Sequence, residues 1–222
     1  MAGRLKNINR ALVTEAVRSF AASLAPGARV LDVGAGSGHY RPLFAGRDYL
    51  AVDRGYEQQD RRGLSLVADI GAIPLADGTV DHALCMEVLE HLRDPLPVLR
   101  EIRRVVRPGG DVLVSTPLCL GEHMQPYDFQ RYTRYALDAM FVEAGFVVLS
   151  IRPRGGFFTL LAYLLARVPD ELLRQRRGVV RHFKPLLRLL TTYSLTPLFL
   201  GLDRLDRRQE FTLGFVCRLR RP

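Results

Sequence analysis

Short apolar runs recur along the chain, bounded by glycine, proline or aspartate. Runs of this kind are typical of strands that are buried on both faces of a sheet. One run near the end of the chain instead alternates between apolar and polar residues, which is typical of a half-buried strand. Strands are predicted at 28–33, 48–53, 64–69, 80–86, 111–117, 146–152 and 210–220.

Apolar residues spaced three or four positions apart predict helices between several of these strands. Helices are predicted at 8–25, 38–45, 94–106 and 133–144. Thr133 is a suitable N-cap for the last of them, and Gly145 a suitable end. Alternating strands and helices predict an α/β fold with a parallel, doubly wound sheet.

Charge is distributed unevenly along the 222 residues. The formal net charge is +9, but residues 1–150 carry 17 Lys and Arg against 18 Asp and Glu. Residues 151–222 carry 15 against 5. A basic last third suits a nucleic acid or an anionic membrane surface as partner, and equally a solvated arginine-rich surface.

The three cysteines have no spacing typical of zinc sites or disulfides, so we expect reduced thiols and no metal. Residues 1–23 contain no apolar run of the signal-peptide kind. We therefore expect a cytoplasmic protein.

Three glycines follow the first predicted strand in the stretch VLDVGAGSG: Gly34, Gly36 and Gly38. Ligands of open parallel sheets bind at the carboxyl ends of strands, and glycine lets a ligand approach the backbone closely. A helix opening at this loop would favour an anionic group. A dinucleotide loop needs its third glycine at position 39, which is histidine, so a nicotinamide dehydrogenase is disfavoured. Asp32 would repel a pyrophosphate and suits a ligand that carries an ammonium and a carboxylate.

The stretch VLDVGAGSG resembles the first motif of class I S-adenosylmethionine-dependent methyltransferases. The resemblance continues through AVDRG, where Asp53 follows Gly34 by 19 residues, and through 67–94 and 98–117. It covers about residues 25–152 and returns at 210–220. The likeness is strongest to small-molecule enzymes, such as the quinone-biosynthesis C-methylases and bacterial enzymes of glycan and natural-product pathways. It implies a Rossmann-like, seven-stranded sheet with an antiparallel last strand, and S-adenosylmethionine as the cofactor.

The resemblance also implies which residues bind the cofactor. The glycine loop would hold its methionine end with Asp32 on the ammonium, directly or through water. Asp53 would bind the ribose hydroxyls, although a turn-capping role is the alternative, and Asp69 with Ile70 would contact the adenine. Met86 and Glu87 would lie at the edge of the reacting centre. The full predicted set is Asp32, Gly34, Ala35, Gly36, Gly38, Asp53, Arg54, Asp69, Ile70, Met86 and Glu87.

A hydroxyl or acidic carbon acceptor needs a base, and histidine suits that task near neutral pH. The segment 118–140 is expected over the pocket, and its run PYDFQRYT resembles a motif of the glycan and natural-product branch. We predict His123 as the base or a substrate contact. His91, four residues after Glu87, is either a second substrate contact or a packed side chain. Further residues predicted to order this segment or orient the acceptor are Tyr127, Asp128 and Arg131.

Residues 153–209 depart from the family pattern, which joins the sixth and seventh strands by a short hairpin. The predicted organisation is a cofactor-binding core of 1–152 plus 210–222, with 153–209 as a helical insertion. Its apolar runs at 157–168 and 185–202 flank the basic RQRRGVVRHFK, and both are too interrupted to span a membrane. The insertion could be an interfacial membrane element, a lid over a greasy substrate, a homodimer interface or a packed subdomain.

The function expected from these features is methyl transfer from S-adenosylmethionine to a small-molecule, lipid-linked or glycan-linked acceptor, at oxygen. A nucleic-acid (RNA) methyltransferase is the second interpretation, supported by the basic segment. The chain lacks the Asn/Asp-Pro-Pro-aromatic signature of base N-methylation, so nucleic acid is the less favoured partner. A cofactor-binding homologue without turnover is the third. The expected location is the cytoplasm, with peripheral contact at the inner face of the membrane.

Overall fold

The computed structural model describes residues 7–54, 61–173 and 184–222. Its contacts divide the chain into two compact units. The larger unit comprises Thr14–Arg152 and Gly214–Pro222, and the smaller comprises Pro153–Leu213 with the start of the chain up to Val13. Helix α1, Ile8–Ser23, runs across the boundary at its amino-terminal end.

Within the described residues, seven strands form one sheet in the order β3-β2-β1-β4-β5-β7-β6. The strands are β1 Arg29–Val33, β2 Asp48–Asp53, β3 Leu66–Val67, β4 His82–Met86, β5 Asp111–Pro117, β6 Val147–Pro153 and β7 Gly214–Arg220. β1 pairs in parallel with β2 and β4, β4 pairs in parallel with β5, and β7 runs antiparallel to β5. The predicted Rossmann-like fold with an antiparallel last strand is confirmed.

The central strands and the helices beside them form the core. Leu31, Val33 and Val114 are inaccessible to solvent, as expected for strands covered on both faces. Helix α2, Leu96–Val105, packs its apolar face into the same cluster. Helix α3, Arg134–Glu143, begins as predicted at Thr133, whose Oγ1 accepts a hydrogen bond from the Ala136 amide at 3.2 Å.

The predicted helix at 38–45 is wrong, because only a single 3₁₀ turn forms, at Arg41–Phe44. Ala45 is already extended and Gly46 has a φ of 77°, so the chain leaves the turn and enters β2 at once. The loop glycines therefore do not open an α-helix, and the expected helix dipole at this loop is absent from the described chain.

Strand β3 is two residues long, which is shorter than the predicted 64–69. The Ser65 hydroxyl accepts a hydrogen bond from the Ala51 amide at 3.1 Å. A side chain thus takes the place of a backbone ladder bond next to β3.

The smaller unit is helical. It contains α4 Phe157–Leu173, α5 Lys184–Arg188, a π-helical turn Leu189–Leu195, α6 Thr196–Leu202 and a 3₁₀ turn Asp203–Leu205. The Asp203 carboxylate accepts hydrogen bonds from the Gly156 and Thr159 amides, so it caps the first turn of α4.

Most of the basic run at 174–184 lies outside the described residues, including Arg174, Arg176 and Arg177. Across residues 7–54, 61–173 and 184–222, no helix has both the length and the apolar character needed to cross a membrane.

Candidate active site

A cavity of about 600 Å³ opens at the carboxyl ends of β1, β2 and β4. It gathers residues from the glycine loop, from the ends of three strands and from the segment after β5. The predicted residues that line it are Gly34, Gly36, Asp53, Arg54, Asp69, Ile70, Glu87, His91 and Tyr127. The motifs that were read separately along the sequence therefore meet at one place in the larger unit.

The loop backbone takes a shape that only glycine fits easily. Gly34 has a φ of 72°, and a Cβ added to it would lie 2.5 Å from Val88 Cγ2. Gly38 has a φ of 75°, and its Cβ would lie 2.8 Å from the Gly63 carbonyl oxygen. Side chains are excluded at both positions, so the loop keeps its backbone close to the cavity and to the neighbouring turn.

Asp53, the last residue of β2, ties the glycine loop to its neighbouring strand. Its Oδ2 accepts a hydrogen bond from the Gly36 amide at 2.9 Å, while the side chain lines the cavity. The carboxylate thereby faces the cavity from a fixed position, where a vicinal diol would find an acceptor.

Asp69 and Arg54 lie together in the cavity lining. Asp69 accepts hydrogen bonds from the Gly71 amide at 2.8 Å and from the Arg54 guanidinium at 2.6 Å. The backbone amide and the guanidinium hold the pKa of Asp69 below its usual value. The carboxylate is exposed, so it stays ionised and accessible to a ligand amino group.

Asp32 is not among the residues that line the cavity, and its contact with a ligand ammonium, directly or through water, stays a prediction. Its carboxyl group is buried and accepts a hydrogen bond from the Tyr49 hydroxyl. Burial raises the pKa of Asp32 to about 7, so the group is roughly half protonated at neutral pH. A half-protonated Asp32 repels a pyrophosphate less strongly than the ionised Asp32 expected from the sequence. Further predicted residues outside the cavity lining are Ala35, Gly38 and Met86.

The two predicted histidines lie side by side, with ring centroids 4.8 Å apart and an interplanar angle of 80°. His91 lines the cavity and His123 does not. His91 Nδ1 lies 2.6 Å from the Tyr127 carbonyl oxygen, which only accepts, so Nδ1 carries the proton. In the neutral imidazole, Nε2 of His91 therefore carries the lone pair.

Glu90 is a residue that sequence reasoning missed. Its side chain is inaccessible to solvent, and Oε1 lies 3.8 Å from Nε2 of both His91 and His123. Burial raises the pKa of Glu90, and the adjacent Glu90 carboxylate raises the pKa of His123. The available signal was a charged residue directly before His91, at a point where the apolar pattern predicts a buried position.

Asp128 and Arg131 hold the segment that carries His123. The Asp128 carboxylate accepts two hydrogen bonds from the Arg131 guanidinium, both 2.7 Å, and one from the His123 amide at 2.9 Å. These contacts lower the pKa of Asp128 well below its usual range. Neither side chain lines the cavity, so their contacts fit the loop-ordering role better than contact with an acceptor.

The fold and cavity define a Rossmann-like domain with a glycine loop and acidic residues at its strand ends. Residues 31–114 match the family model described as a methyltransferase domain. The predicted resemblance to class I S-adenosylmethionine-dependent methyltransferases is confirmed.

Several curated relatives are named methyltransferases. An uncharacterized methyltransferase of Mycobacterium avium (strain 104) is 34% identical over 129 residues, which cover 54% of this chain and 51% of the relative. An uncharacterized 37.1 kDa protein in transposon TN4556 of Streptomyces fradiae is 29% identical over 211 residues, covering 78% of this chain and 59% of the relative. The chain spans about half the length of the curated relatives it matches.

The crystal structure of the [4+2]-cyclase SpnF has a similar fold, with a TM-score of 0.62 at 21% identity. The alignment covers 95% of this chain and 80% of SpnF. Identity at this level shows the fold alone, and SpnF is named a cyclase, so the activity has to be argued from the site.

Proposed function

We propose that this protein transfers a methyl group from S-adenosylmethionine to a small-molecule, lipid-linked or glycan-linked acceptor, at an oxygen atom. The observation that carries the proposal is a single cavity lined by two sets of residues. One set is Gly34, Asp53 and Asp69, to which the resemblance assigns the cofactor, and the other is His91 and Tyr127. When bound, S-adenosylmethionine supplies a methyl group on a sulfonium, which is ready for in-line displacement.

The residues at the cofactor end fit that group. The backbone at Gly34 leaves room for a ligand where a Cβ would collide with Val88. Asp53 and Asp69 offer carboxylate acceptors at two points of the cavity lining, suited to a ribose diol and an adenine amino group. Ile70 adds an apolar surface to the same lining.

The cavity lining also includes aromatic and apolar side chains, and it includes one histidine, His91. Met124, Tyr127 and Phe129 line the cavity, and the Arg93 guanidinium lies 4.7 Å from the Phe129 ring centroid. His91 Nε2 retains a lone pair and can accept a proton from a hydroxyl acceptor as the methyl group is transferred. These features support an acceptor with an apolar part and an ionisable oxygen.

The smaller unit supports a proposal about partners. Leu186, Leu189 and Leu190 are exposed, and the first turns of this region also carry Lys184 and Arg188. Exposed leucines beside basic residues suit peripheral contact with an anionic membrane, with a homodimer interface as the alternative.

The proposed acceptor class is tested by transfer of an isotopically labelled methyl group from S-adenosylmethionine into cell fractions. Label is expected in small-molecule or lipid-extractable products, and Asp53→Ala is expected to abolish the transfer while the surface variant Asp48→Ala retains it. Label in a ribonuclease-sensitive fraction would instead support the RNA methyltransferase. Binding of S-adenosylhomocysteine with no transfer into any fraction would support a protein without turnover.

A further inference from the structure

The buried carboxylate of Glu90 has an unusual environment. Neither of its oxygens has a hydrogen-bond partner in the described part of the chain, and the side chain is inaccessible to solvent. A buried carboxylate without partners is unfavourable, and such groups are normally paired or bound to a metal. Glu90 therefore points to a cation beside it.

Two imidazoles face this carboxylate. Nε2 of His91 and Nε2 of His123 each lie 3.8 Å from Glu90 Oε1, beyond hydrogen-bond distance. Each of the three residues offers one possible ligand atom, and these three atoms all lie within 4.8 Å of one another. A tetrahedral metal with bonds of about 2.0–2.1 Å would hold its ligand atoms roughly 3.3 Å apart. Small inward movements of the three side chains would reach that separation.

The second nitrogen of each ring is already oriented. His91 Nδ1 lies 2.6 Å from the Tyr127 carbonyl oxygen, and His123 Nδ1 lies 3.3 Å from the Gly121 carbonyl oxygen and 3.4 Å from an Asp128 carboxylate oxygen. All of these oxygens accept, so both rings carry their proton on Nδ1. Both Nε2 lone pairs are then free for a metal, which is how metal-binding histidines are usually held.

The backbone around the three residues is also fixed. Glu90 and His91 share the 3₁₀ turn Leu89–His91, and the Glu90 carbonyl accepts hydrogen bonds from the Phe129 and Gln130 amides at 2.8 and 3.2 Å. The Asp128 carboxylate holds the His123 amide. The segment that carries His123 is thus tied to the turn that carries the other two residues.

We propose that Glu90, His91 and His123 bind one divalent first-row transition-metal ion, with Zn²⁺ as the reference ion. Two imidazoles and one carboxylate suit such an ion better than Mg²⁺ or Ca²⁺, which prefer oxygen ligands. Three protein ligands leave a coordination position open, as in catalytic zinc sites.

A catalytic role for the ion rests on the proposed function, whereas the binding of the ion does not. His91 lines the cavity, so the metal would border it. An ion bound to Nε2 of His91 would occupy the lone pair that otherwise accepts the proton, so the ion would take over the activation of the acceptor from His91. An acceptor hydroxyl bound at the open position would lose its proton more readily. The O–CH₃ bond would form as the S–CH₃ bond breaks, leaving S-adenosylhomocysteine as a neutral thioether and releasing the hydroxyl proton to solvent.

The proposal is tested by titrating the full chain, stripped with a chelator and dialysed, with Co²⁺ and with Zn²⁺. We expect one ion per chain, visible d–d absorption from Co²⁺, and a higher thermal unfolding midpoint with Zn²⁺. His91→Ala, His123→Ala and the isosteric Glu90→Gln should each lower the affinity at least about ten- to hundred-fold. His39→Ala is the matched control, because His39 is exposed and outside the cluster.

The result that would overturn the proposal is no one-to-one binding by wild type, or equal affinity in wild type and His123→Ala. His123 is partly exposed, so this variant is expected to fold even if Glu90→Gln does not. A parallel titration with S-adenosylhomocysteine in the presence of chelator separates the two claims. Cofactor binding without metal binding defeats only the metal site, and metal binding without cofactor binding defeats only the proposed function.

Discussion

At the scale of single residues, the Asp32 carboxyl group is buried, and its protonation state should differ between the folded and the unfolded protein. Burial raises its pKa from 3.8 to about 7, so between these values the folded protein holds a proton that the unfolded chain releases. The contribution of Asp32 to stability therefore falls as the pH rises from about 4 to 7. At about 1.4 kcal/mol per pKa unit, the loss amounts to roughly 4 kcal/mol.

Asp32→Asn should remove this dependence, because the amide does not ionise and can still accept from Tyr49. Urea unfolding at several pH values should show that the free energy of unfolding of the variant rises relative to that of wild type between pH 4 and pH 7. Asp48→Asn, at an exposed carboxylate paired with Arg29, is the control. Parallel profiles for wild type and Asp32→Asn would show that Asp32 ionises normally in the folded protein.

The sequence predicted the placement of Asp53 and Asp69 well, because their positions at strand ends follow from strand order and motif spacing. It did not predict that Asp32 turns into the core or that Glu90 is buried between two histidines. Side-chain orientation at a strand end and burial in a short 3₁₀ turn depend on neighbours that are far away in sequence. Cysteine spacing alone suggested no metal, and it says nothing about a set made of Glu and His.

At the scale of elements, the loop after β1 depends on Gly34 for two separate reasons. Its φ of 72° disfavours any side chain, and Val88 occupies the space of a Cβ. Gly27 has a similar φ of 74° but no heavy atom within 4 Å of an added Cβ. The two glycines therefore separate backbone strain from steric overlap.

Gly34→Ala should reduce the free energy of unfolding by about 1–3 kcal/mol more than Gly27→Ala does, which is the usual cost of overpacking. Adding Val88→Ala to Gly34→Ala should recover part of that difference. The measurement is chemical denaturation of all four proteins. Equal losses for the two glycine variants would mean that Val88 moves aside freely.

The elements themselves were predicted to different degrees. Long periodic segments such as α2 and α3 formed where predicted, and the Thr133 cap set the start of α3. The segment 38–45 was predicted as a helix, but the backbone leaves its single 3₁₀ turn at Ala45, which is already extended, and β2 begins at Asp48. Strand β3 is limited to Leu66–Val67, and beside it the Ser65 hydroxyl accepts a hydrogen bond from the Ala51 amide.

At the scale of the whole molecule, the exposed leucines of the smaller unit should bind anionic vesicles. The fraction of protein that sediments with vesicles should fall several-fold in the double variant Leu186→Ser/Leu190→Ser. The variant loses the burial of two apolar side chains in the membrane, which contributes about 25 cal/mol per Å². Charge reversal at Arg174, Arg176 and Arg177 should act similarly, since each basic residue near an anionic surface contributes about 1 kcal/mol. The exposed Val147→Ser in the larger unit is the control.

Partial release of the protein by salt would agree with the membrane proposal. If wild type does not bind vesicles but forms a dimer that the leucine variants disrupt, the membrane proposal is wrong and the exposed leucines form a homodimer interface. Competition by RNA at physiological salt would favour the nucleic-acid partner.

The central claim is that the cavity at Asp53 binds the methyl donor, and calorimetric titration with S-adenosylhomocysteine tests it most directly. The account predicts one site per chain, with an affinity reduced at least about ten-fold in Asp53→Ala, since hydrogen bonds to charged groups contribute about 1.5–3 kcal/mol. Asp48→Ala, at the other end of the same strand, should bind like wild type. Equal affinity in wild type and Asp53→Ala would contradict the account.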